Sequence, residues 1–551
     1  MKDVIDFAKK LYSTKLECGK NLLELTKYNN VSMWWCVNSL FCQYLKKVKD
    51  KDAFGKMKYH QKILFFYKKF GIFFDLIYEA GLKTVIKMHI KNHKNKKSKN
   101  KPKIMFLSLY THWRKIRDYK TNTIKKTNAY YESILQELKD DVELLAFNSI
   151  DLAPRTGLRI MKDMLGKFYV PYKPLNIYWS IETWKEKAKA FYYFKGVYNI
   201  IKNDKKFRKN CVLKNKDIYE EVIRELDFYF SFILPRAVSY IDMSRKLIRD
   251  EKVDLIFLEN EYEWGSKSST IIPAKLENIK TLAIQHAVIL PEHEGYVYKK
   301  GEISEKGSIK SPFCPMADKT AIYGSYYIEL LTERSSYPKE SLVVTGHPRY
   351  DILKFVDQIY SKKRFFEKYK ISKNKQILSW LTQSHGMSKE ENIRNLETIF
   401  KTMEKIDDAV LIIKQHPGEG KIWTDLINQY IQKYDINVIL LPKTFDTYEL
   451  LYVSDLMITK DSTTAAEAAA LNKPIVILNL SGKPDNSDYV KEGIAKRATN
   501  QKELKFEIEN LLKDDKELAK KREEYVKKNM YKIDGKSSER IAKTIKGMIR
   551  P

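Results

Sequence analysis

Cysteine is scarce in this chain, and glycine and proline are sparse: 551 residues hold 5 Cys, 20 Gly and 16 Pro. Cys18, Cys36, Cys42, Cys211 and Cys314 are odd in number, widely spaced and form no CxxC pair. That excludes a disulfide framework or a zinc module and fits a reducing cytoplasm. No uninterrupted run of about 18 apolar residues occurs, so no membrane span is expected. The opening MKDVIDFAKKLYSTKLECGK has no apolar core followed by a small-residue cleavage site, so no secretory signal is expected either. GxGxxG, Walker, HExxH and GxSxG signatures are missing, which leaves a dinucleotide cofactor without support. No DxD-like acidic pair sits at a strand end, so no metal site is expected.

Positive charge is what the sequence has in excess. Lys and Arg number 101 against 70 Asp and Glu, a formal net charge of +31. Such a surface draws in polyanions: nucleic acid, anionic lipid headgroups or nucleotide diphosphates. Charge alone does not choose among them, and the same lysines also read as ordinary solvated faces. With 43% hydrophobic and 31% charged residues the composition is that of a globular protein. A chain this long exceeds one core and implies about three or four structural units.

Residues 1–100 read as a basic aromatic helical region, with 22 Lys against 8 acidic residues and no proline. Trp34, Trp35, Phe65, Phe66, Phe70, Phe73 and Phe74 lie among those lysines, which suits either a membrane interface or packing against the rest of the chain. The run HIKNHKNKKSKNKPK reads as a linker. KIMFLSLY (103–110) is a buried-strand pattern, followed by a polar loop, a helix near 122–139 and the strand VELLAFNSI. After a mostly helical insertion at about 155–250, strands return as VDLIFLEN and TLAIQHAVIL, giving a first Rossmann-like domain over 101–315. TAIYG, SLVVTG, QILSWL, AVLIIKQ, NVILL, DLMITK and PIVILNL alternate with helical patterns and give a second over 316–500. Residues 501–551 read as charged C-terminal helices. The fold class is therefore α/β, with two doubly wound domains whose strand ends converge on a cleft.

The chemistry is sought at those strand ends. TLAIQHAVILPEHEGY places His286 just beyond a strand, with Glu292, His293 and Glu294 in the following loop. Imidazoles and carboxylates there suit deprotonation of an acceptor hydroxyl, or else simple hydrogen bonding to backbone. AVLIIKQHPGEG leaves Lys414 and His416 pointed at the cleft, with Pro417 ending the strand. In DLMITKDSTTAAEAAALNKP a strand ends at Lys460 and a helix opens through Asp461, Ser462, Thr463 and Thr464. Unpaired N–H groups, hydroxyls and the helix dipole make that opening suited to a diphosphate, with Glu467 on a ribose or sugar hydroxyl; an ordinary helix cap is the alternative. SLVVTGHPRYD supplies Gly346 for a sharp turn, His347, Pro348 and Arg349, which clamps a phosphate or pairs with Asp351. WLTQSHG supplies Thr382, Gln383, Ser384 and His385 as polar groups for a nucleotide.

The succession QHAVILPEHEGY, TGHPRYD, KQHPGEG and KDSTTAAEAAALNKPIV resembles the GT-B glycosyltransferase superfamily. Within it the chain is most similar to CDP-glycerol glycerophosphotransferases and to capsule polysaccharide transferases of the Kdo and polysialic acid types. His286 matches the position of the catalytic His in the first group's Trp-His-Gly-Thr-Pro segment, although Ala287 replaces the Gly and no Thr-Pro follows. His416 with Pro417 matches the His-Pro that holds a cytidine nucleotide, and Ser462, Thr463 and Thr464 match the paired-hydroxyl segment on donor phosphate. The resemblance covers roughly residues 253–500 and leaves the first 250 unmatched.

The resemblance implies a GT-B transferase of cell-envelope polysaccharide biosynthesis. It would move a sugar or polyol phosphate from a CDP-, CMP- or UDP-linked donor to a surface-glycan or lipid-linked acceptor. The donor would be a substrate, with no cofactor and no metal. His286, or the Glu292, His293 and Glu294 group, would take the acceptor proton, while Lys414, His416 and the 462–464 turn hold the donor. Residence would be cytoplasmic, with the basic N-terminal region available for peripheral docking on the inner face of the membrane. Two rivals are a UDP-N-acetylglucosamine 2-epimerase-like enzyme of the same architecture and a basic nucleic-acid-binding protein, though no nucleic-acid module is visible.

Overall fold

The computed structural model describes residues 2–49, 75–88, 101–108, 113–148, 170–384, 387–485 and 487–549. The expectations for Phe65, Phe66, Phe70, Phe73, Phe74, His385 and Gly386 lie outside the described residues. Two parallel sheets organise the chain. The first has seven strands: β1 (Lys103–Leu107), β2 (Glu143–Asn148), β3 (Tyr172–Pro174), β4 (Leu255–Leu258), β5 (Lys280–Ile284), β6 (Lys319–Ile322) and β7 (Leu342–Val344). Their spatial order is β7-β6-β5-β4-β1-β2-β3. The second has six: β8 (Gln376–Leu381), β9 (Ala409–Lys414), β10 (Val438–Leu441), β11 (Leu456–Thr459), β12 (Ile475–Leu478) and β13 (Lys496–Ala498), ordered β10-β9-β8-β11-β12-β13. Strands such as LIFL, AVLIIK and LMIT are apolar throughout because helices cover both faces. The strand order reverses between β1 and β4 in the first sheet and between β8 and β11 in the second, and such reversals open crevices at the carboxyl ends.

Four boundaries differ from the sequence reading. The strands TAIYG and SLVVTG belong to the first sheet, where β6 runs parallel to β5 with Leu282 opposite Lys319. The first sheet thus reaches Val344 and the second begins at Gln376, so no division falls at 315, because consecutive strands pair outward along one edge. Tyr172–Pro174 is an edge strand, so the helical insertion starts only beyond it. The stretch from 113 to 128 is an antiparallel hairpin, Trp113–Asp118 against Thr123–Asn128, with a helix only over Glu132–Leu138. Asn122, at φ 52°, makes the left-handed turn that closes it. Finally, the C-terminal helices divide between the sheets. Leu504, Ile508, Leu511 and Leu518 pack in the second core, whereas Ile541, Ala542 and Ile545 return to the first beside Phe106 and Phe257.

The N-terminal aromatics that can be described are core. Trp34 and Trp35 are fully buried, Trp35 lies edge-on to Tyr298 at 5.8 Å, and its Nε1 donates to the Pro312 carbonyl at 2.8 Å. These two side chains pack against the body and do not face a membrane; truncating either to Ala would cost about 3–5 kcal/mol.

Candidate active site

The first sheet brings an imidazole and a ring stack to its edge. Gln285 follows β5 and is fully buried; its Oε1 accepts from the Tyr323 N–H at 2.9 Å and its Nε2 donates to the Ala287 carbonyl at 2.8 Å. Both bonds fix the turn that presents His286. The half-buried His286 ring stacks on Tyr130 at 5.2 Å with 27° between planes. Tyr130 is itself held by its N–H donating to Asn128 Oδ1 at 3.0 Å, at the end of the hairpin.

Beyond β7, Gly346 at φ 76° turns the chain, and a Cβ there would meet Ser537 Oγ at 2.5 Å, so this glycine admits the C-terminal helix. His347 is 3% exposed and edge-on to Tyr323 at 4.5 Å. Its Nδ1 accepts the Arg349 N–H at 2.9 Å, and burial, then the neighbouring Arg349 and His286, push its pKa well below the ordinary range. His347 is therefore a neutral imidazole inside the fold. Arg349 does not pair with Asp351. Asp351 accepts the N–H groups of Ser537 and Ser538 at 2.9 and 3.0 Å, starting the last helix, and Arg349 instead faces Glu467 of the second sheet at 3.7 Å.

The second sheet answers with a charged group. Lys414 closes β9 almost fully buried; burial lowers its pKa while Asp446, Glu467 and Glu419 oppose the shift. Glu467 is buried in the helix Thr464–Ala470, accepts from Tyr448 Oη at 3.3 Å, and has its pKa raised by burial against Arg349, Tyr448 and Lys414. Asp446 accepts from Tyr360 Oη at 2.7 Å and from Arg117 of the hairpin at 3.4 Å, a second tie between the sheets. At the helix opening Ser462 Oγ lies 2.8 Å from Thr464 Oγ1 and accepts the Thr464 N–H at 3.2 Å, while Thr463 is exposed. Lys460, just before that opening, is paired with Glu391. His416 is exposed and its Nδ1 accepts the Gly418 N–H at 3.1 Å, with Pro417 between them.

His293, Glu294, Thr382 and Ser384 each make hydrogen bonds within the fold. His293 accepts the Gly295 N–H at 3.1 Å and packs edge-on to Tyr262 at 4.9 Å; burial lowers its pKa against the raising effect of Glu294. Glu294 accepts from Gln43 of the N-terminal helices at 3.0 Å, and Glu292 is exposed. Thr382 Oγ1 and the Ser384 N–H both donate to Glu419, at 2.8 and 2.7 Å. Glu419, passed over in the sequence reading, also accepts from Gln415 at 3.2 Å, so one buried carboxylate ties the loops after β8 and β9 together. Its signal was its position in KQHPGEG, three residues after His416. Glu259 was likewise missed: it directly follows β4 at the first reversal, bonds the Tyr131 hydroxyl, and burial raises its pKa to about 7. Among the described residues no group of three or more His, Cys, Asp or Glu is arranged to hold a metal ion.

Both edges line one crevice. A cavity of about 270 Å³ has Val288, Ile289, Leu290 and Pro291, which follow His286, on one wall and Asp461 and Thr463 on the other. Neither His286 nor Ser462 is itself among the residues that line it.

A family model described as CDP-Glycerol:Poly(glycerophosphate) glycerophosphotransferase matches residues 177–547. The teichoic acid poly(ribitol-phosphate) polymerase of Bacillus spizizenii is 22% identical over 363 residues, 60% of this chain and 53% of that protein. A processive diacylglycerol beta-glucosyltransferase of Bacillus licheniformis is 24% identical over 268 residues, 47% of this chain and 65% of that protein. The chain thus spans about half the length of the first relative and just under two thirds of the second. Among solved structures, UDP-GlcNAc 2-epimerase from Neisseria meningitidis bound to UDP-GlcNAc matches with a TM-score of 0.48 and 14% identity, covering 81% of this chain and 100% of that one.

Proposed function

The chain belongs to the CDP-glycerol:poly(glycerophosphate) glycerophosphotransferase family, and on that premise we propose that it moves a polyol phosphate from a CDP-activated donor to a hydroxyl of a cell-surface glycan or lipid-linked acceptor. The observation that carries this reading is Arg349, which lies beyond β7 and meets Glu467 of the second sheet at 3.7 Å beside Tyr448 and Lys414, while His286 stacks on Tyr130 at the edge of the first sheet. In the proposed step the acceptor oxygen bonds to the donor's β-phosphorus while the bond from that phosphorus to the CMP oxygen breaks. The hydroxyl proton passes to His286, and CMP leaves with the electron pair. Lys414 and His416 with the hydroxyls of Ser462, Thr463 and Thr464 hold the donor phosphates, and Glu467 takes a ribose hydroxyl. Fixed dipoles and a half-buried setting favour charge building on the departing CMP.

A lipid-linked acceptor calls for a membrane surface. No helix among the described residues is long and apolar enough to cross a bilayer, and the formal charge of +31 supports a peripheral cytoplasmic enzyme drawn to anionic headgroups. The test is thermal unfolding with CMP, CDP, UDP and GDP, followed by CMP release from CDP-glycerol with an acceptor present. Cytidine nucleotides should raise the melting temperature most. His286→Ala should keep that rise while lowering kcat by about 10²–10⁴-fold. Stabilisation by uridine nucleotides alone, or turnover of UDP-N-acetylglucosamine without acceptor, would overturn the reading.

A further inference from the structure

His286 leaves β5 on a turn, and its backbone is fixed there by the two side-chain bonds of Gln285. Those bonds do not set the plane of the imidazole, because rotation about the bond to the ring is soft. In His293, His347 and His416 the ring is held by its own Nδ1, which accepts an N–H two residues on. His286 is held differently: the Tyr130 ring lies across its face at 5.2 Å with 27° between planes. Tyr130 stands at the end of the hairpin, where Asn128 Oδ1 accepts the N–H groups of Tyr130 and Tyr131 at 3.0 and 3.2 Å. Its neighbour Tyr131 enters the core, fully buried and edge-on to Phe257 at 4.9 Å and Phe106 at 5.3 Å. The Tyr131 hydroxyl donates to the Glu259 carboxylate and accepts the Glu259 N–H at 2.8 Å. Glu259, 2% exposed and just past β4, takes no part in the transfer step described above, yet it fixes the residue beside Tyr130. Tyr130 also helps to raise the Arg349 pKa, after Tyr448 and Glu467 and against burial, so the stacked pair and the Arg349–Glu467 contact are neighbours.

An imidazole takes a proton from a hydroxyl when its ring nitrogen is aimed at that hydroxyl, and a misplacement of about 1 Å costs on the order of a hundredfold in rate. We propose that Tyr130 is the positioning residue of His286, its ring setting the plane of the imidazole, with the buried Tyr131–Glu259 pair holding Tyr130 in place. This rests on the transferase reading above, in which His286 takes the acceptor proton.

The experiment measures CMP release from CDP-glycerol with acceptor present, and CDP affinity by calorimetry, in the full chain and its variants. Tyr130→Leu should lower kcat about 10–100-fold while acceptor KM and CDP affinity stay within about twofold. Tyr130→Phe keeps the ring without its hydroxyl and should return kcat to within about threefold of wild type. Tyr131→Phe, which unties the anchor, should lower kcat about tenfold, and the double variant Tyr130→Leu/Tyr131→Phe should lose no more than Tyr130→Leu alone, because both act on one imidazole. Glu259→Leu removes the acceptor of the Tyr131 hydroxyl and should behave as Tyr131→Phe, whereas Glu259→Gln keeps one and should behave as wild type. That second pair keeps the anchor testable if Tyr131→Phe folds poorly. A merely structural role would lower the melting temperature, leave kcat per folded molecule unchanged and combine additively. Unchanged kcat in Tyr130→Leu, equal losses in Tyr130→Phe and Tyr130→Leu, or additive losses in the double variant would each overturn the proposal alone. Unchanged kcat in His286→Ala would defeat the transferase reading of that residue and this proposal together.

Discussion

Two His-Pro turns, one at the edge of each sheet, make the same local structure and come to opposite ends. His347-Pro348 and His416-Pro417 each use the imidazole Nδ1 to accept an N–H two residues on, at 2.9 Å from Arg349 and 3.1 Å from Gly418. His347 is sealed among Tyr323 and Tyr350, whereas His416 stands in solvent. The dipeptide dictates the turn; what the surrounding chain packs over it decides whether the ring pins the fold or stays open to solvent. His293 repeats the turn a third time with the Gly295 N–H, and tyrosines enclose it as well. Among the described histidines His286 alone departs from the pattern, its ring stacked on Tyr130.

The contrast breaks most visibly in stability. His347→Ala removes a packed buried ring and should lower unfolding stability by about 2–4 kcal/mol in denaturant titrations. A loss below about 0.5 kcal/mol would put His347 in the same class as its exposed counterpart. Burial acts on Glu259 in the other direction along the pH scale. Its folded pKa is raised from 4.5 to about 7, so the folded state holds a proton the unfolded chain has released, and stability falls as pH rises between those values. Glu259→Gln should therefore stabilise the protein at pH 8 by at most about 3 kcal/mol and not at pH 4. His347 works oppositely. Its depressed pKa means the unfolded chain takes up a proton first, so stability should fall below about pH 6.5, by up to about 1.4 kcal/mol per pH unit, and His347→Phe should flatten that limb. Smallest is the exposed ring: His416→Ala should leave unfolding within about 0.5 kcal/mol of wild type while weakening CDP binding roughly tenfold, read by calorimetry.

How much of this was legible in the amino-acid order depends on whether the signal is local. The apolar strands and the His-Pro, Lys-x-His and Ser-Thr-Thr segments were visible, because each is a run of neighbours with one conformational preference. The hairpin at 113–128 was misread as a loop and the start of a helix: WRKIRD and TIKKTN are so charged that their period-two pattern is hidden, and Asn122 betrays the turn. Sheet membership of β6 and β7 is a question of partners, which no single strand carries. The same holds for Glu419, whose three bonds come from loops more than thirty residues apart in part, and for Lys460, whose role is set by Glu391 on a distant helix. Whether Trp34 and Trp35 face lipid or core was open from the sequence because both need the same side chains; Tyr12 and Tyr298, packed against them, decide it.

The return of the last helix to the first sheet has a consequence for how the molecule is made. Ile541, Ala542 and Ile545 complete a hydrophobic layer begun by Ile104 and Phe106, and Asp351 holds the helix start through Ser537 and Ser538. During synthesis every strand of the second sheet leaves the ribosome before that layer can be closed. The half that emerges earlier is therefore finished later, waiting with one greasy flank uncovered until its younger sibling has already folded.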